Sequence, residues 1–349
     1  MAKMMRLLHL DAGRKFFGVP ALKKIIDSMA RAGLTHFQLY FSDNQGFRFG
    51  LDDLHFTTEF GEYDLASCLG DGYWEGPKRP SGCGGWLNTA DMEQILAYAR
   101  EKGIEIVPLL NMPGHMGCIL EKYPHLRYAN SRSSIDLENP EATAFALAIL
   151  ERYVKWFADR GCKYFHFGAD EWSNDIAPGY PDEIIMGIDR IYQEGKIDCL
   201  TDFFDKCAAV IVKYGMIPMA FNDGICYAAD KSFRQVDKRI LVTYWSKGWI
   251  GYDLAPADWL EKEGYGMINS STDIYCGCGC PDWNGRVQAA EKFDPYIFHP
   301  NSKVEKPVGA MVCYWSDRAN ADGQDDGAAA AEHLDKVLEA FGRAMDRSE

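Results

Sequence analysis

Eight short apolar runs recur along the chain: Leu7 to Leu10, His36 to Phe41, Ile104 to Leu110, Tyr164 to Phe167, Ile217 to Phe221, Ile240 to Trp245, Gly266 to Ser270 and Gly309 to Trp315. Near-continuous apolar runs of this length suit parallel strands buried on both faces. Between them lie amphipathic helical patterns with clear punctuation. Leu22, Ile25, Ile26, Met29 and Ala30 follow helical spacing, and Gly33 stands where a helix C-terminal glycine belongs. Asn88 or Thr89 caps a second helix that stops at Gly103; Asn139, Pro140 and Glu141 open a third that stops at Gly161. Eight alternations of strand and helix predict an α/β fold, a (β/α)₈ TIM barrel, with an open doubly wound sheet as the alternative. No short-period repeat or linker divides the chain, so residues 1–349 read as a single catalytic barrel domain.

Two stretches break the expectation of short loops. Asp52 to Leu87 carries Tyr73, Trp74 and Trp86 with little periodicity, and Cys276 to Lys306 includes Trp283. Long loops in a compact domain are functional or disordered, and their aromatic rings favour function. A structural insertion packed on its own rings is the alternative for any single tryptophan.

Composition narrows the class. Hydrophobic residues are 47% and charged residues 25%, ordinary globular usage that excludes a disordered or fibrous chain. The formal net charge of −14 disfavours nucleic acid as a partner. No run is apolar enough to span a bilayer, so no membrane partner is expected, and Met1 to Leu10 does not read as a signal peptide. The 11 cysteines are odd in number and cannot all pair. Cys276, Cys278 and Cys280 lack zinc-ribbon spacing and His partners, so plain thiols, and no metal or cofactor, are expected, with metal or disulfide chemistry as the alternative. Abundant thiols point to a cytoplasmic location, with an extracellular or cell-surface one as the alternative.

In a barrel, active groups gather at the C-terminal ends of the strands. Taken strand by strand, those ends carry Asp11 and Arg14; Asp43, Asn44 and Arg48; Asn111 and His115; Asp170 and Glu171; Asn222 and Asp223; Trp245 and Trp249; Asp273 and Tyr275; Trp315 and Asp317. Carboxylates, one histidine, one arginine and large aromatics on one face suit a sugar. Flat rings stack on it, carboxylates bond its hydroxyls, and an acid serves the glycosidic oxygen. An Asp-Glu dipeptide alone says little; Asp182-Glu183 is a second one and reads as a solvated surface pair. Asp170-Glu171 differs because it follows an apolar strand and a glycine, where burying two carboxylates without partners is costly. His115 alone reads as a core histidine; beside Asp43 and Glu171 it polarises an acid through a hydrogen-bonded chain.

The motifs resemble those of glycoside hydrolase family 20, the β-N-acetylhexosaminidases. Leu10-Asp11-Ala-Gly-Arg14-Lys-Phe-Phe17 resembles the family's opening segment, and Ser42-Asp43-Asn44-Gln45-Gly46-Phe47-Arg48 its Thr-Asp-Asp-Gln-Gly-Trp-Arg. Met112-Pro113-Gly114-His115 and Phe167-Gly168-Ala169-Asp170-Glu171 resemble its Pro-Gly-His and Gly-Gly-Asp-Glu signatures. Asn269-Ser270 and Val312 to Asp317 resemble its late segments, and Ala220 to Gly224 is most similar to its streptococcal cell-surface branch. Each motif is weak alone; six in order at the right strand ends are specific.

This resemblance implies retaining, exo-acting hydrolysis of β-linked N-acetylhexosamine glycans, with the substrate's own 2-acetamido oxygen as nucleophile. It implies Glu171 as general acid/base, and Asp170 and Tyr275 as the groups that hold the acetamido N–H and oxygen. Asp43 and His115 then form the chain behind Glu171. Arg14 and Asp317 hold ring hydroxyls, Trp245 and Trp315 wall the sugar, and Phe221, Asn222 and Trp249 complete the substrate-binding set. Asn44, Ala169, Phe221 and Asp317 depart from the family's pattern. They leave the catalytic pair intact but alter the pocket wall and hydroxyl recognition. The small α/β domain preceding the barrel in many members is not expected, because the chain opens on the first strand. GlcNAc is expected to be preferred over GalNAc. Alternatives are a lacto-N-biosidase-type release of disaccharides, a carbohydrate-binding barrel that has lost turnover, and a metal-dependent hydrolase, the last disfavoured because no His pair has ligand spacing.

Overall fold

The computed structural model describes residues 3–72, 84–172, 175, 195, 197–225, 235–245, 254–319, 321 and 327–348. Eight parallel strands form the barrel: β1 (Met5–Asp11), β2 (His36–Tyr40), β3 (Glu105–Met112), β4 (Tyr164–Gly168), β5 (Ile217–Phe221), β6 (Leu241–Tyr244), β7 (Met267–Asn269) and β8 (Gly309–Trp315). They pair in sequence order, and β1 also pairs with β8, from Met5 with Gly309 to Leu10 with Tyr314. That closure makes a (β/α)₈ barrel and excludes an open sheet. All eight apolar runs become strands, within two residues at either end.

The helices obey their predicted punctuation. α1 (Val19–Arg31) is followed by Gly33 at φ +72°. α2 (Thr89–Glu101) has a capping box, in which the Asn88 side chain accepts from the Asp91 N–H while the Asp91 carboxylate accepts from the Asn88 N–H. α3 (Pro140–Ala158) is capped by Asn139, whose side chain accepts from Glu141 N–H. α4 (Ile197–Lys213), α5 (Ala257–Lys262), α6 (Trp283–Lys292) and α7 (Ala328–Ser348) follow. No described helix is long and apolar enough to cross a membrane.

The stretch from Cys276 to Lys306 is more ordered than its composition suggests. Asp282 caps α6 by accepting from Gly285 N–H, and a small hairpin pairs Ile297–Phe298 with Ser302–Lys303. Trp283 stacks on His333, ring centroids 4.7 Å apart, so it packs against α7 as part of the shell. In the first long loop, His55–Thr58 pairs with Gly61–Asp64, and Trp86 is exposed. Tyr73 and Trp74 lie outside the described residues, as does the Asp182-Glu183 pair.

Side chains alternate between the barrel interior and the helix layer along each strand. Leu8, Leu10 and Phe37 join the large outer core, whereas Leu7, Val107, Met219, Ile268 and Met311 fill the barrel's lower interior. Moving up the same inward positions, the chemistry turns polar, through His9, Gln38 and His166, all fully buried. At the top it reaches Asp11, Tyr40, Asn111, Phe221, Trp245 and Trp315. The alternation that builds the core thus also delivers the site.

Candidate active site

The upper ends of β1, β2, β3 and β4 hold one connected polar network. Asp11 anchors Arg14 twice, accepting from its backbone N–H at 3.0 Å and from Nη1 at 2.8 Å. Ser316 of the β8 end closes on the same residue, donating its N–H to Asp11 Oδ2 at 3.0 Å. The other arm of Arg14, Nη2, lies 3.3 Å from Asp43 Oδ2. Tyr40 donates its hydroxyl to Asp43 at 2.6 Å, and Asn111 Nδ2 donates to both Tyr40 Oη at 3.1 Å and Asp170 Oδ1 at 2.7 Å.

His115 sits at the centre of three carboxylates. Its Nδ1 lies 3.0 Å from Asp43 Oδ2, an ion-pair approach off the line of the ring N–H. Its Nε2 is 3.2 Å from Glu171 Oε2 and 3.5 Å from Asp170 Oδ2. Burial alone would lower the imidazole's pKa, but the charges of Asp170, Asp43 and Glu171 raise it well above 6.5. Asp43 is driven the other way: burial is outweighed by Arg14 and His115, and its carboxyl is held far below the usual range. Burial is likewise outweighed at Glu171, where His115 and Arg14 keep the carboxyl low. Asp170 is raised by burial and by Glu171, against the pull of His115.

The backbone at the end of β4 is unusual. Gly168 has φ +82°, and a Cβ there would fall 1.7 Å from Asn111 Oδ1, so glycine is required. Ala169 at φ +75° and Glu171 at φ +50° are also left-handed, which costs L-residues about 1–2 kcal/mol each. His115 at φ +54° is a further case. The β3–β4 register shifts between Leu109 and Met112, next to these positions. Such distortions at one strand end mark a functional site.

Arg14, Asp170, Glu171, Phe221, Trp245, Tyr275, Trp315 and Asp317 line a cavity of about 190 Å³ above this network. Phe221 forms part of its floor against His166, ring centroids 4.4 Å apart. Trp315 lies on His9 at 4.3 Å and beside Tyr275 at 5.8 Å, with the Arg14 guanidinium 5.7 Å from its ring. Tyr275 opens a short strand, Tyr275–Gly277, that extends the barrel edge beside Cys313 to Trp315. The Trp315 indole N–H is buried without a hydrogen-bond partner among the described residues, and the buried Tyr275 hydroxyl, near Ser270 and Cys313, makes no well-aligned hydrogen bond there. Such groups in a cavity wall are available to a polar ligand.

Ten of the twelve residues singled out from sequence therefore meet at one place: Asp43, His115, Asp170, Glu171 and Tyr275 with Arg14, Trp245, Trp315, Asp317 and Phe221. Asp317 is at the rim, its side chain 70% exposed and 3.8 Å from Arg14. Asn222 stands behind the wall, its Oδ1 accepting from Trp245 N–H at 2.9 Å. Trp249 lies outside the described residues. Asn44, one of the departures from the family pattern, is structural here, accepting from Gly117 N–H at 2.8 Å.

Sequence reasoning gave Tyr40 no role, because it is embedded in an apolar run. It placed Asp11, Asn111 and Asp223 at strand ends without assigning them. Asp223 is pushed up to about 8 by burial and by Asp170, although it accepts hydrogen bonds on both oxygens. Among the described residues, no group of three or more His, Cys, Asp or Glu is placed to hold a metal ion. No disulfide forms among them either; Cys276 bonds the Cys313 carbonyl and Cys278 the Tyr314 hydroxyl.

The fold is a (β/α)₈ barrel whose strand ends gather carboxylates, a histidine, an arginine and aromatic rings around one cavity. The model of the glycosyl hydrolase family 20 catalytic domain matches residues 4–326, and the chain belongs to that family. It is 25% identical over 247 residues to a lacto-N-biosidase of Bifidobacterium bifidum, covering 65% of this chain and 21% of that protein. It is 23% identical over 338 residues to a β-hexosaminidase of Akkermansia muciniphila, covering 90% and 63% respectively. The chain thus spans less than two thirds of the length of either relative. A solved catalytic module of the pneumococcal exo-β-D-N-acetylglucosaminidase StrH superposes with a TM-score of 0.82 and 28% identity, over 98% of this chain and 84% of that module.

Proposed function

We propose that this barrel is a retaining exo-β-N-acetylhexosaminidase that removes terminal β-linked GlcNAc by substrate-assisted catalysis. The observation that carries the reading is the arrangement around His115. Two adjacent carboxylates, Asp170 and Glu171, both face one imidazole at the wall of a small aromatic cavity. A volume of about 190 Å³ is below the range of drug-sized ligand sites, ~300–1,000 Å³, and suits one sugar unit.

Family 20 departs from the scheme of two carboxylates across the sugar ring. Glu171 protonates the glycosidic oxygen as the bond to C1 breaks. The acetamido oxygen attacks C1, giving an oxazolinium ion. Asp170 accepts from the acetamido N–H, and the Tyr275 hydroxyl donates to the acetamido oxygen. Water then adds at C1, with Glu171 taking its proton. The proton Glu171 delivers is held at His115, 3.2 Å away, which reconciles a low carboxyl pKa with an acid's role. Trp245 and Trp315 stack on the sugar, Phe221 floors it, and Arg14 and Asp317 hold ring hydroxyls.

A thiazoline mimic of the oxazolinium ion tests this. It should inhibit strongly and competitively, and a plain β-glucoside should not be turned over. Comparable turnover of β-glucoside and β-GlcNAc aryl glycosides would reject the mechanism. Disaccharide release is the second reading, supported by the likeness to a lacto-N-biosidase. It predicts that an aryl lacto-N-bioside outcompetes aryl β-GlcNAc.

A further inference from the structure

The end of β5 contributes a buried carboxylate with no place in the chemistry above. Asp223 is 1% exposed. Its Oδ2 accepts the backbone N–H of Glu171 at 2.8 Å, and its Oδ1 accepts the indole Nε1–H of Trp245 at 2.8 Å. One side chain thus ties the residue carrying the acid to the aromatic wall on which the sugar stacks. The tie is short because the loop sits directly on β4; a Cβ at Gly224 would lie 2.2 Å from the Ala169 carbonyl oxygen. The preceding residue serves the same wall, since Asn222 Oδ1 accepts the Trp245 backbone N–H. At its other end the tie meets a left-handed residue, Glu171 at φ +50°, a conformation that needs outside contacts to persist.

We propose that Asp223 is a positioning residue that couples sugar stacking on Trp245 to the orientation of the Glu171 carboxyl. The inference rests on the reading of Glu171 as the general acid. Stacking on Trp245 fixes the indole; the indole N–H fixes Asp223; Asp223 holds the Glu171 backbone in the one conformation that aims its carboxyl at the glycosidic oxygen. Asp223 touches neither the reacting atoms nor their protons.

The readout is dependence on the leaving group. A glycan leaving group needs protonation, whereas a dinitrophenolate hardly does. A misaimed acid therefore slows the first selectively, whereas a general loss of structure slows both alike. Asp223→Asn keeps the volume but gives only one acceptor oxygen for two N–H donors. It should lower kcat/KM on a β-linked GlcNAc disaccharide about ten-fold or more beyond any loss on dinitrophenyl β-GlcNAc, within the ~10²–10⁴ that general acid catalysis supplies.

Trp245→Phe keeps an apolar wall and removes the N–H from the other end of the tie. It should show the same selectivity even if Asp223→Asn fails to fold, and the double variant should lose no more selectivity than Asp223→Asn alone. Equal losses on both substrates, or additive selectivity in the double variant, overturn the proposal. Glu171→Gln on the same two substrates separates the layers. If it lacks selectivity, the acid reading falls and takes the coupling with it; if it is selective and Asp223→Asn and Trp245→Phe are not, only the coupling falls.

Discussion

Replacing His115 by glutamine should move the alkaline limb of activity to lower pH. The imidazole is set among Asp43, Asp170 and Glu171, at 3.0, 3.5 and 3.2 Å. Their charges raise its pKa well above 6.5, so it keeps a proton through the neutral range while Glu171, bonded to it, stays ionised. In the variant, the proton must reside on a carboxylic acid instead, and carboxylic acids lose it at lower pH. A hydrogen bond to a charged group is worth about 1.5–3 kcal/mol, which corresponds to roughly 10- to 150-fold. We therefore expect His115→Gln to lower kcat/KM on a GlcNAc disaccharide by that factor at neutral pH. A dinitrophenyl glycoside should be far less affected. The assay is kcat/KM from about pH 4 to pH 9 on both substrates, where the limbs report groups of the free enzyme. Folding stability supplies a control with its own sign. A raised imidazole pKa contributes stability that is fully present below pH 6.5 and is lost as pH rises through the folded value. The variant's stability deficit should accordingly be largest at acid pH and shrink toward alkaline pH. An unmoved alkaline limb, or equal losses on the two substrates, would show that His115 does not store the acid's proton.

Tyr275→Phe should separate activity from stability: its buried hydroxyl has Ser270 and Cys313 as polar neighbours but no well-aligned hydrogen bond, so Tm should fall little. kcat/KM should nevertheless drop about 10²–10³-fold, as when one donor to a developing charge is removed. A parallel loss of Tm would assign the hydroxyl to the fold. His9 is lowered to about 3 by burial and then by Arg14. The unfolded chain takes up this proton near pH 6.5 and the folded chain only near 3, so stability falls with pH across that window by about 1.4 kcal/mol per pH unit. Denaturation of wild type and His9→Gln at several pH values should show a slope flatter by that amount in the variant; identical slopes would refute it. Arg14 presents a rigid fork to adjacent hydroxyls, and Asp317 is one methylene shorter than the family's glutamate at this rim. An axial C4 hydroxyl is then poorly met, so kcat/KM for the aryl GlcNAc glycoside should exceed that for GalNAc. Equal values would show that Asp317 does not read C4.

The strands were legible because each is covered on both faces, which turns it into an apolar run. The helix ends were legible because Gly33, Gly103 and Gly161 take the left-handed conformation that stops a helix. Within the site, residue types at strand ends could be read, but their partners could not. Arg14 reads in sequence as a hydroxyl binder; in space it is also salt-bridged to Asp11 and Asp43. Tyr40 was hidden because a tyrosine in a strand run looks like core until its hydroxyl is placed on Asp43. Asp223 was visible as a strand-end carboxylate, but its tie to Glu171 and Trp245 depends on how closely β5 and β4 approach. α6 was missed because Asp282 capping Gly285 gives a weak start signal in a Gly- and Pro-rich stretch.

The sign of the site's charge explains why so many carboxyls are gathered there. Asp11, Asp43, Asp170, Glu171, Asp223 and Asp317 surround the cations Arg14 and His115. Asp11, Asp170 and Asp223 are all raised, burial being the largest cause in each. A carboxyl pKa raised by burial means that the anion is held where water is excluded and its charge is incompletely compensated. The same linkage runs in reverse: positive charge arriving beside these groups stabilises their ionised forms. In the proposed mechanism, glycoside cleavage would develop such a charge, an oxocarbenium-like cation at C1 that passes to the acetamido group. Buried carboxylates already fixed by Asn111, Arg14 and Trp245 need no reorganisation to meet it, and in a low-dielectric pocket that preorganisation counts for most. A neutral sugar gains little from this field; the transition state gains much. In the proposed reaction, the excess of acid over base at the barrel mouth therefore favours the transition state over the bound ground state.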